Sequence, residues 1–299
     1  MGSDYAFAQK ESILTKYRVV RKPLNHGSYG IVRLCLEKET RQWFAVKTIS
    51  KEEDSQIRTE VSILQKLSHR NILSLKEVYA TKSSIHIVTP FYSGGDLYHG
   101  ILEKKNSVNR HFSEQEAASL VKQMLGAIAY CHSKGVVHRD LKPENFVFQT
   151  ENSGAALILI DFGLAKIRDM SKPAQYMKTR VGTSYYIAPE VLQRRYSEKC
   201  DMWSLGVISY LLLCGYVPFH AQNEIALFSK IRHKEVSFPD REWGQVSSDA
   251  VHFVRALLEK NESQRPGADQ ALHHSWFSEE LNIQKENASC CEPTEAPQA

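Results

Sequence analysis

The chain has 299 residues, a formal net charge of +4 and 24% charged residues, an ordinary composition for a folded protein. Its length exceeds one small core and suggests two subdomains, with disorder confined to the ends. Basic residues form no Lys/Arg block, which disfavours nucleic-acid binding. The most apolar segment, residues 202–214, is interrupted by polar residues and too short to cross a bilayer, so it predicts a buried helix.

Six cysteines include no CxxC pair and no Cys/His spacing typical of a metal site. With no secretory signal at the start, we expect reduced thiols and a cytoplasmic protein, with nuclear access left open. Met1-Gly2 begins a myristoylation pattern, although Ala6 stands where Ser or Thr is preferred. A lipid anchor therefore stays an open alternative.

Three alternating, β-branched segments, residues 17–23, 31–36 and 43–49, predict strands in hairpin order. Between the first two lies a loop, residues 24–32, whose glycines let backbone amides approach phosphates closely. A glycine-rich loop of a dinucleotide-binding fold opens a helix, whereas this one joins two strands. The setting therefore argues against a dinucleotide-binding fold.

A lysine and a glutamate in this first part of the chain predict an ion pair. Lys47 lies near the end of the third strand, and a helix follows in which Ile57, Val61 and Leu64 form an apolar stripe. Glu60 lies beside that stripe and faces the core, where a carboxylate needs a cation. Lys47 is the expected partner.

Residues 85–89 predict a further strand and residues 90–95 a connector, after which helical patterns dominate. Ser113 and Glu116 have the spacing of a capping box, which predicts the start of a helix. That helix is expected to end near residues 134–135, where a glycine follows a lysine.

Three motifs then follow in order. Residues 138–145 read HRDLKPEN, residues 161–163 read DFG after a short predicted strand over 157–160, and residues 188–190 read APE. Together they resemble the protein kinase family, in which these segments carry the catalytic base and the magnesium ligands. The resemblance runs from about residue 17 to residue 277.

The resemblance implies an α+β protein kinase fold with two lobes. A small antiparallel-β lobe with one helix would occupy residues 17–89, a hinge residues 90–95, and a larger, mainly α-helical lobe residues 96–277. An N-terminal extension, residues 1–16, and a polar, disordered tail, residues 278–299, would flank them.

The family's reaction transfers the γ-phosphoryl group of Mg-ATP to hydroxyls of protein substrates. By resemblance Asp140 is the catalytic base and Lys142 the lysine beside the transferred phosphate. Thr183 matches the threonine that hydrogen-bonds both side chains. Lys142 also favours Ser/Thr over Tyr acceptors, because tyrosine kinases carry a different sequence there.

The same resemblance makes Asn145 and Asp161 the magnesium ligands, and the pair formed by Lys47 and Glu60 the holder of the α- and β-phosphates. The further residues that match ATP-binding positions are Leu24, Asn25, Gly27, Gly30, Val32, Ala45, Thr89, Pro90, Tyr92, Asp96, Glu144 and Val147.

Two of these residues depart from the family pattern. Asn25 replaces a glycine, but Asn tolerates left-handed backbone angles. Pro90 replaces a common glutamate, yet the family binds adenine through the carbonyl at this position and the amide two residues on, that of Tyr92. Asp96 would reach the ribose or a basic substrate side chain. A helix N-cap is an equally good interpretation, and the two roles are compatible.

Residues 182–190, GTSYYIAPE, most resemble the calcium/calmodulin-dependent group, especially the calcium-dependent protein kinases. Residues 201–206 and 215–219 support this likeness, and Arg265 would pair with Glu190. No EF-hand pattern occurs, and residues 278–299 are not a basic amphipathic helix. Direct binding of calcium or calmodulin is therefore not expected.

Regulation by an upstream kinase is predicted at Thr179, where many kinases are phosphorylated, with Arg139 as partner of the phosphate. The alternative is an ordinary exposed loop threonine. For substrates, Asp96 and Glu144 suggest an upstream basic residue. Because Asp96 is shorter than the usual Glu and Leu211 stands where an acid would strengthen the preference, one basic determinant is expected rather than two.

Two other functions remain as alternatives. A nucleotide-binding scaffold without catalysis is suggested by Asn25 and Pro90. Against it, the five residues on which turnover depends are all present: Lys47, Glu60, Asp140, Asn145 and Asp161. A small-molecule phosphotransferase is disfavoured by the intact segment 161–190, which forms the peptide platform in protein kinases.

Overall fold

The computed structural model describes residues 7–9, 11–27, 30–106, 111–168 and 176–278. They form a small, mostly β lobe and a larger helical lobe, which confirms the predicted two-lobed α+β architecture. No helix within these ranges is long and apolar enough to cross a membrane. Residues 279–299, all of the predicted tail except its first residue, lie outside the described part.

The small lobe is built on one five-stranded antiparallel sheet of order β1-β2-β3-β5-β4. Its strands are β1 (Tyr17–Gly27), β2 (Gly30–Glu37), β3 (Trp43–Ser50), β4 (Glu77–Ala80) and β5 (Ser84–Pro90). Four of these strands were predicted. The fourth was not, because four residues are too few for an alternating pattern to stand out.

The predicted loop over residues 24–32 is largely strand. The first two strands pair as far as Gly27 opposite Gly30, and residues 28–29 lie outside the described part. The prediction was wrong in extent because backbone pairing does not need the apolar alternation that marks strands in sequence. Gly30 is required sterically, since a Cβ atom there would come within 2.5 Å of the Thr48 carbonyl oxygen.

Helix α2 (Asp54–Lys66) packs its predicted stripe against the sheet, and a short 3-10 turn, Lys51–Glu53, precedes it. Ile57, Val61 and Leu64 are buried, and so is Glu60. A buried carboxylate such as that of Glu60 requires a positively charged partner.

The N-terminal extension is folded where the structure describes it. Ser12 caps a short helix, α1 (Ile13–Lys16), and Ile13 is buried. The amide of Gln9 donates to the carbonyl of Val78 at 2.7 Å, which places residues 7–9 along the exposed edge of β4. Covering a sheet edge in this way satisfies its unpaired backbone groups.

The large lobe is helical. Its helices are α3 (Leu97–Lys105), α4 (Glu114–Ser133), α5 (Pro189–Leu192), α6 (Lys199–Cys214), α7 (Glu224–His233), α8 (Asp240–Trp243), α9 (Ser248–Leu257) and α10 (Ala268–Leu272). The capping box of Ser113 and Glu116 is confirmed, as is the end of that helix at Lys134. Helix α6 is buried from Cys200 to Cys214, as residues 202–214 predicted.

Two short ladders carry the segments between the helices. Strand β6 (Val136–Val137) pairs with β9 (Lys166–Ile167), and β7 (Phe146–Phe148) pairs with β8 (Leu157–Leu159). Short 3-10 helices occur at Pro143–Asn145, Ser184–Tyr186 and Ser275–Phe277.

The described cysteines are buried free thiols: Cys35, Cys131, Cys200 and Cys214. Burial raises the pKa of Cys35 to about 12, and that of Cys214 likewise to about 12. These thiols are therefore poor nucleophiles at neutral pH. Cys290 and Cys291 lie outside the described residues.

Candidate active site

The loop of residues 138–145 and the DFG segment lie together because the two strands beside them pair. Strand β7 follows the loop, and its partner β8 precedes Asp161. The amide of Ile160 donates to the carbonyl of Asn145 at 2.8 Å. Asn145 and Asp161 are consequently brought to the same end of this ladder.

A buried carboxylate fixes the start of the loop. Asp201 accepts hydrogen bonds from the amides of His138 at 2.9 Å and Arg139 at 2.8 Å, and its Oδ2 lies 2.9 Å from Nε2 of His132. Arg139 has φ of 68°, a left-handed conformation that these bonds hold in place. Sequence reasoning missed Asp201, although an acid at the start of the apolar segment 202–214 requires such partners.

Asp140, Lys142 and Thr183 form a closed triangle of contacts. The Asp140 carboxylate accepts from Nζ of Lys142 at 2.9 Å and from Oγ1 of Thr183 at 2.9 Å, and Nζ of Lys142 lies 3.3 Å from that hydroxyl. The predicted bonds of Thr183 to both side chains are confirmed. Asp140 is thus held in one orientation although it lies in a loop.

Asn145 is positioned by its own side-chain amide. Nδ2 donates to the backbone carbonyl of Asp140 at 2.7 Å. Because the nitrogen is committed to this bond, the side-chain oxygen is the atom left to act as a ligand.

Lys47 joins the two lobes. Its Nζ lies 2.8 and 3.0 Å from the two carboxylate oxygens of Glu60, which confirms the predicted pairing, and 3.1 Å from Oδ1 of Asp161. Burial acts to lower the pKa of Lys47, but attraction by Glu60 and Asp161 outweighs it, and the pKa is raised. The lysine is therefore a permanent cation at this point.

The two carboxylates of this cluster respond differently. Burial raises the pKa of Glu60, and Lys47 offsets this only in part. Burial acts in the same direction on Asp161, but Lys47 and the amide of Gly163 outweigh it and lower its pKa. Lys47 thus contacts both carboxylates, and the side-chain oxygens of Asp161 and Asn145 are of the type that can hold a divalent cation.

The sheet aligns several of the residues matched to ATP binding. Val32 stands opposite Lys47 in neighbouring strands, and Ala45 stands opposite Thr89. Gly30 begins β2, and Leu24 is exposed on β1. The backbones of Asn25 and Gly27 lie in β1, but their side-chain environment is outside the described part.

The connector between the lobes carries the other matched positions. Pro90 ends β5 opposite Phe44, and Tyr92 is half-buried, with a pKa raised by burial. Asp96 caps α3, as the alternative interpretation expected, and pairs with Val147 across an isolated bridge. Glu144 is exposed on the 3-10 helix that follows Lys142.

Two further contacts join residues singled out in the sequence, and the second of them was predicted as a pair. Arg139 donates from Nη1 to the Thr179 hydroxyl at 2.9 Å, and Thr179 is exposed. In the large lobe, the guanidinium of Arg265 contacts both carboxylate oxygens of Glu190 at 2.5 and 3.0 Å. Both members of this second pair are buried, so its geometry is bidentate and shielded from water.

Comparisons with known proteins agree with this geometry. Residues 18–277 match the model of the family described as protein kinase domain. The chain is 38% identical over 273 residues to calcium-dependent protein kinase 10 of Oryza sativa subsp. japonica, covering 89% of this chain and 44% of that protein. It is 40% identical over 277 residues to calcium-dependent protein kinase 34 of Arabidopsis thaliana, covering 90% of this chain and 51% of that protein.

A third relative, calcium-dependent protein kinase 17 of Arabidopsis thaliana, is 40% identical over 266 residues, with 87% of this chain and 49% of that protein covered. The chain spans about half the length of the curated relatives that it matches. The family model covers nearly all of both lobes, and the resemblance derived from the motifs is confirmed. The chain belongs to the protein kinase domain family.

Proposed function

We propose that this chain is a serine/threonine protein kinase that transfers the γ-phosphoryl group of Mg-ATP to protein hydroxyls. The observation that carries the proposal is the triangle of Asp140, Lys142 and Thr183, which holds one carboxylate with a lysine beside it in the large lobe. The reaction needs a positioned acceptor for the hydroxyl proton and a cation near the moving phosphate.

In this mechanism Asp140 accepts the proton of the attacking hydroxyl. Thr183 donates to one of its oxygens and Lys142 to the other, so the carboxylate is oriented before the substrate binds. Lys142 also supplies positive charge beside the transferred group.

Asn145 and Asp161 would hold magnesium, and their oxygens suit that ion. Bound magnesium neutralises charge on the phosphates. Lys47, kept charged and oriented by Glu60, would bind the α- and β-phosphates. The carbonyl of Pro90 and the amide of Tyr92 would bind adenine.

Glu144 supports a preference for a basic residue upstream of the acceptor, because it is the exposed acid next to the triangle. For regulation, an upstream kinase would phosphorylate Thr179. The contact between Arg139 and the Thr179 hydroxyl supports this, since a phosphate there would gain a charge-assisted bond to the loop that carries Asp140. A Thr179→Ala variant that keeps full activity after treatment with an activating kinase would contradict this role.

The relatives are named for calcium dependence, and the chain spans about half of their length. We propose that transfer by this chain does not itself require calcium, because its sequence has no EF-hand pattern. The cytoplasmic location stays a prediction.

The test is transfer of labelled γ-phosphate from Mg-ATP to a serine peptide with an upstream arginine, with calcium or with a chelator of calcium. The chain should phosphorylate the peptide equally in both, and Asp140→Asn should reduce the rate by about 10³-fold or more. Asp269→Asn, an exposed acid on α10, is the matched control and should retain the rate. ATP binding without transfer, before and after treatment with an activating kinase, would favour the scaffold alternative.

A further inference from the structure

Asp96 has a partner that the sequence patterns did not predict. Its Oδ1 accepts the amide of His99 at 2.8 Å, as an N-cap does. Nδ1 of the same His99 lies 2.9 Å from Oδ1 and 2.9 Å from Oδ2. The imidazole nitrogen therefore sits between the two carboxylate oxygens rather than beside one of them.

This position is the one that a bidentate guanidinium would need. An arginine binds a carboxylate most strongly through two parallel N–H bonds, one to each oxygen. With Nδ1 of His99 equidistant from both oxygens of Asp96, such a pair cannot form until the imidazole moves. The His99 side chain is 72% exposed, so it can rotate away, but only by giving up its bonds to the carboxylate.

Glu144 lies in the same neighbourhood and differs from Asp96. Helix α3, which Asp96 caps, packs against the 3-10 helix Pro143–Asn145 that carries Glu144. Tyr186 lies in the segment between DFG and APE. Burial raises the pKa of its hydroxyl, and the negative charge of Glu144 raises this pKa further, as a nearby carboxylate does. Among the described residues, no hydrogen bond or ion pair engages the Glu144 carboxylate.

We infer that His99 is a specificity-determining residue that closes Asp96 to basic substrate side chains and leaves Glu144 as the acid that selects them. The inference rests on the proposed function, because it concerns the peptides that this site phosphorylates. It explains with one contact why a chain with two candidate acids should show one basic determinant. It also predicts that the second determinant can be uncovered by a substitution outside the reacting groups.

The test compares serine peptides that differ only in carrying Arg or Ala at each upstream position, with kcat and KM measured separately. Glu144→Gln should reduce the preference for arginine about tenfold, through KM. His99→Leu should increase the preference for arginine at one upstream position by roughly three- to tenfold, again through KM. Glu103→Gln, an exposed acid on the same helix, is the matched control and should leave the ratio of the two peptides unchanged.

A double-mutant cycle separates the proposed contact from a general effect on the helix. Asp96→Asn keeps a residue suited to the N-cap and removes the charge. In that background His99→Leu should have no further effect on the arginine preference. An increase of the same size in both backgrounds, no increase in either, or full retention of the preference in Glu144→Gln would overturn the inference.

Failure of the proposed function would be recognised separately. Absence of phosphate transfer by every variant would contradict the kinase activity. The affinities of fluorescently labelled Arg and Ala peptides, measured by anisotropy, would still decide the role of His99, because the expected ratios are ratios of binding.

Discussion

Lys47 and Lys16, both in the small lobe, each lie between two carboxylates. Lys47 contacts Glu60 and, across the cleft, Asp161, and its side chain is 13% exposed. Lys16 lies 2.5 Å from Glu77, at the start of β4, and 3.3 Å from Glu37, at the end of β2, and its side chain is 39% exposed.

The two clusters differ in the balance of charge. Around Lys16, Lys76 also contacts Glu37 at 3.3 Å, so two lysines pair with two glutamates. The hydroxyls of Tyr17 and Tyr79 donate to Glu77 at 2.8 and 2.7 Å. In the cleft, two carboxylates share one lysine, and burial raises the pKa of Glu60. In the balanced cluster, formed by Lys16, Lys76, Glu37 and Glu77, each charge has a partner of opposite sign, and the contacts of Lys16 hold α1 against the sheet. The cleft cluster brings Asp161, which we propose as a magnesium ligand, next to the lysine that we propose binds the phosphates.

The largest expected effect separates these clusters directly. Lys47→Met should lower kcat/KM for ATP by about 10³-fold, because it removes the cation that binds the phosphates. Lys16→Met, the matched change in the balanced cluster, should change kcat/KM by about twofold or less while lowering Tm. Both are measured by steady-state transfer to one peptide and by thermal unfolding. A comparable loss of activity in the two variants would break the distinction.

The buried pair of Glu190 and Arg265 sharpens the comparison, since it is balanced and shielded from water. Glu190→Gln should destabilise the chain by about 3–5 kcal/mol, because it leaves the buried guanidinium without its counter-charge. Urea unfolding of the variant measures this. A decrease in the free energy of unfolding of less than about 1 kcal/mol would mean that the Arg265 guanidinium finds another partner or water in the variant.

Acid sensitivity is the third expected effect. Burial acts to raise the pKa of Glu77, but bonds from Lys16, Tyr79 and Tyr17 outweigh it and lower the pKa. The stabilisation is therefore complete above the ordinary value of 4.5 and is lost as the pH falls through the lower folded-state value. Glu77→Gln should reduce the dependence of Tm on pH below about 4.5, as measured by unfolding from pH 3 to pH 7. An identical pH profile would remove this carboxylate from the cause of acid unfolding.

The smallest expected effect concerns a single hydroxyl. Tyr79→Phe removes one of the donors to Glu77 and should cost about 1 kcal/mol at pH 7, without an effect on nucleotide affinity. Denaturant unfolding and nucleotide titration on the same preparation measure both. A change in nucleotide affinity would show that the two clusters are coupled.

Much of the site was predictable because it follows short-range patterns. The stripe of Ile57, Val61 and Leu64 gave the direction of Glu60, and the HRDLKPEN and DFG motifs identified the loop residues. The contact between Asp96 and His99 was not predicted, although an i, i+3 spacing at a helix start brings two side chains together.

Other features depend on tertiary contacts that no local pattern records. Strand β4 and helix α1 have only four residues each. Elements this short are stabilised by packing against the rest of the lobe rather than by the intrinsic propensity of their residues. The bonds of Asp201 to the amides of His138 and Arg139 join positions more than sixty residues apart. The partners in such contacts depend on the tertiary fold. The sequence indicates only that a polar residue in an apolar segment, such as Asp201, needs a partner.

The most direct test of the account is nucleotide affinity with and without magnesium, by titration of ADP into the chain and into Asp161→Asn. If the cleft cluster is the one that accommodates a cation, magnesium should increase ADP affinity in the unaltered chain, and this increase should disappear in Asp161→Asn. It should persist in Glu77→Gln, which alters the balanced cluster. An equal magnesium effect in all three proteins would contradict the claim that the shared lysine of the cleft marks the magnesium-nucleotide site.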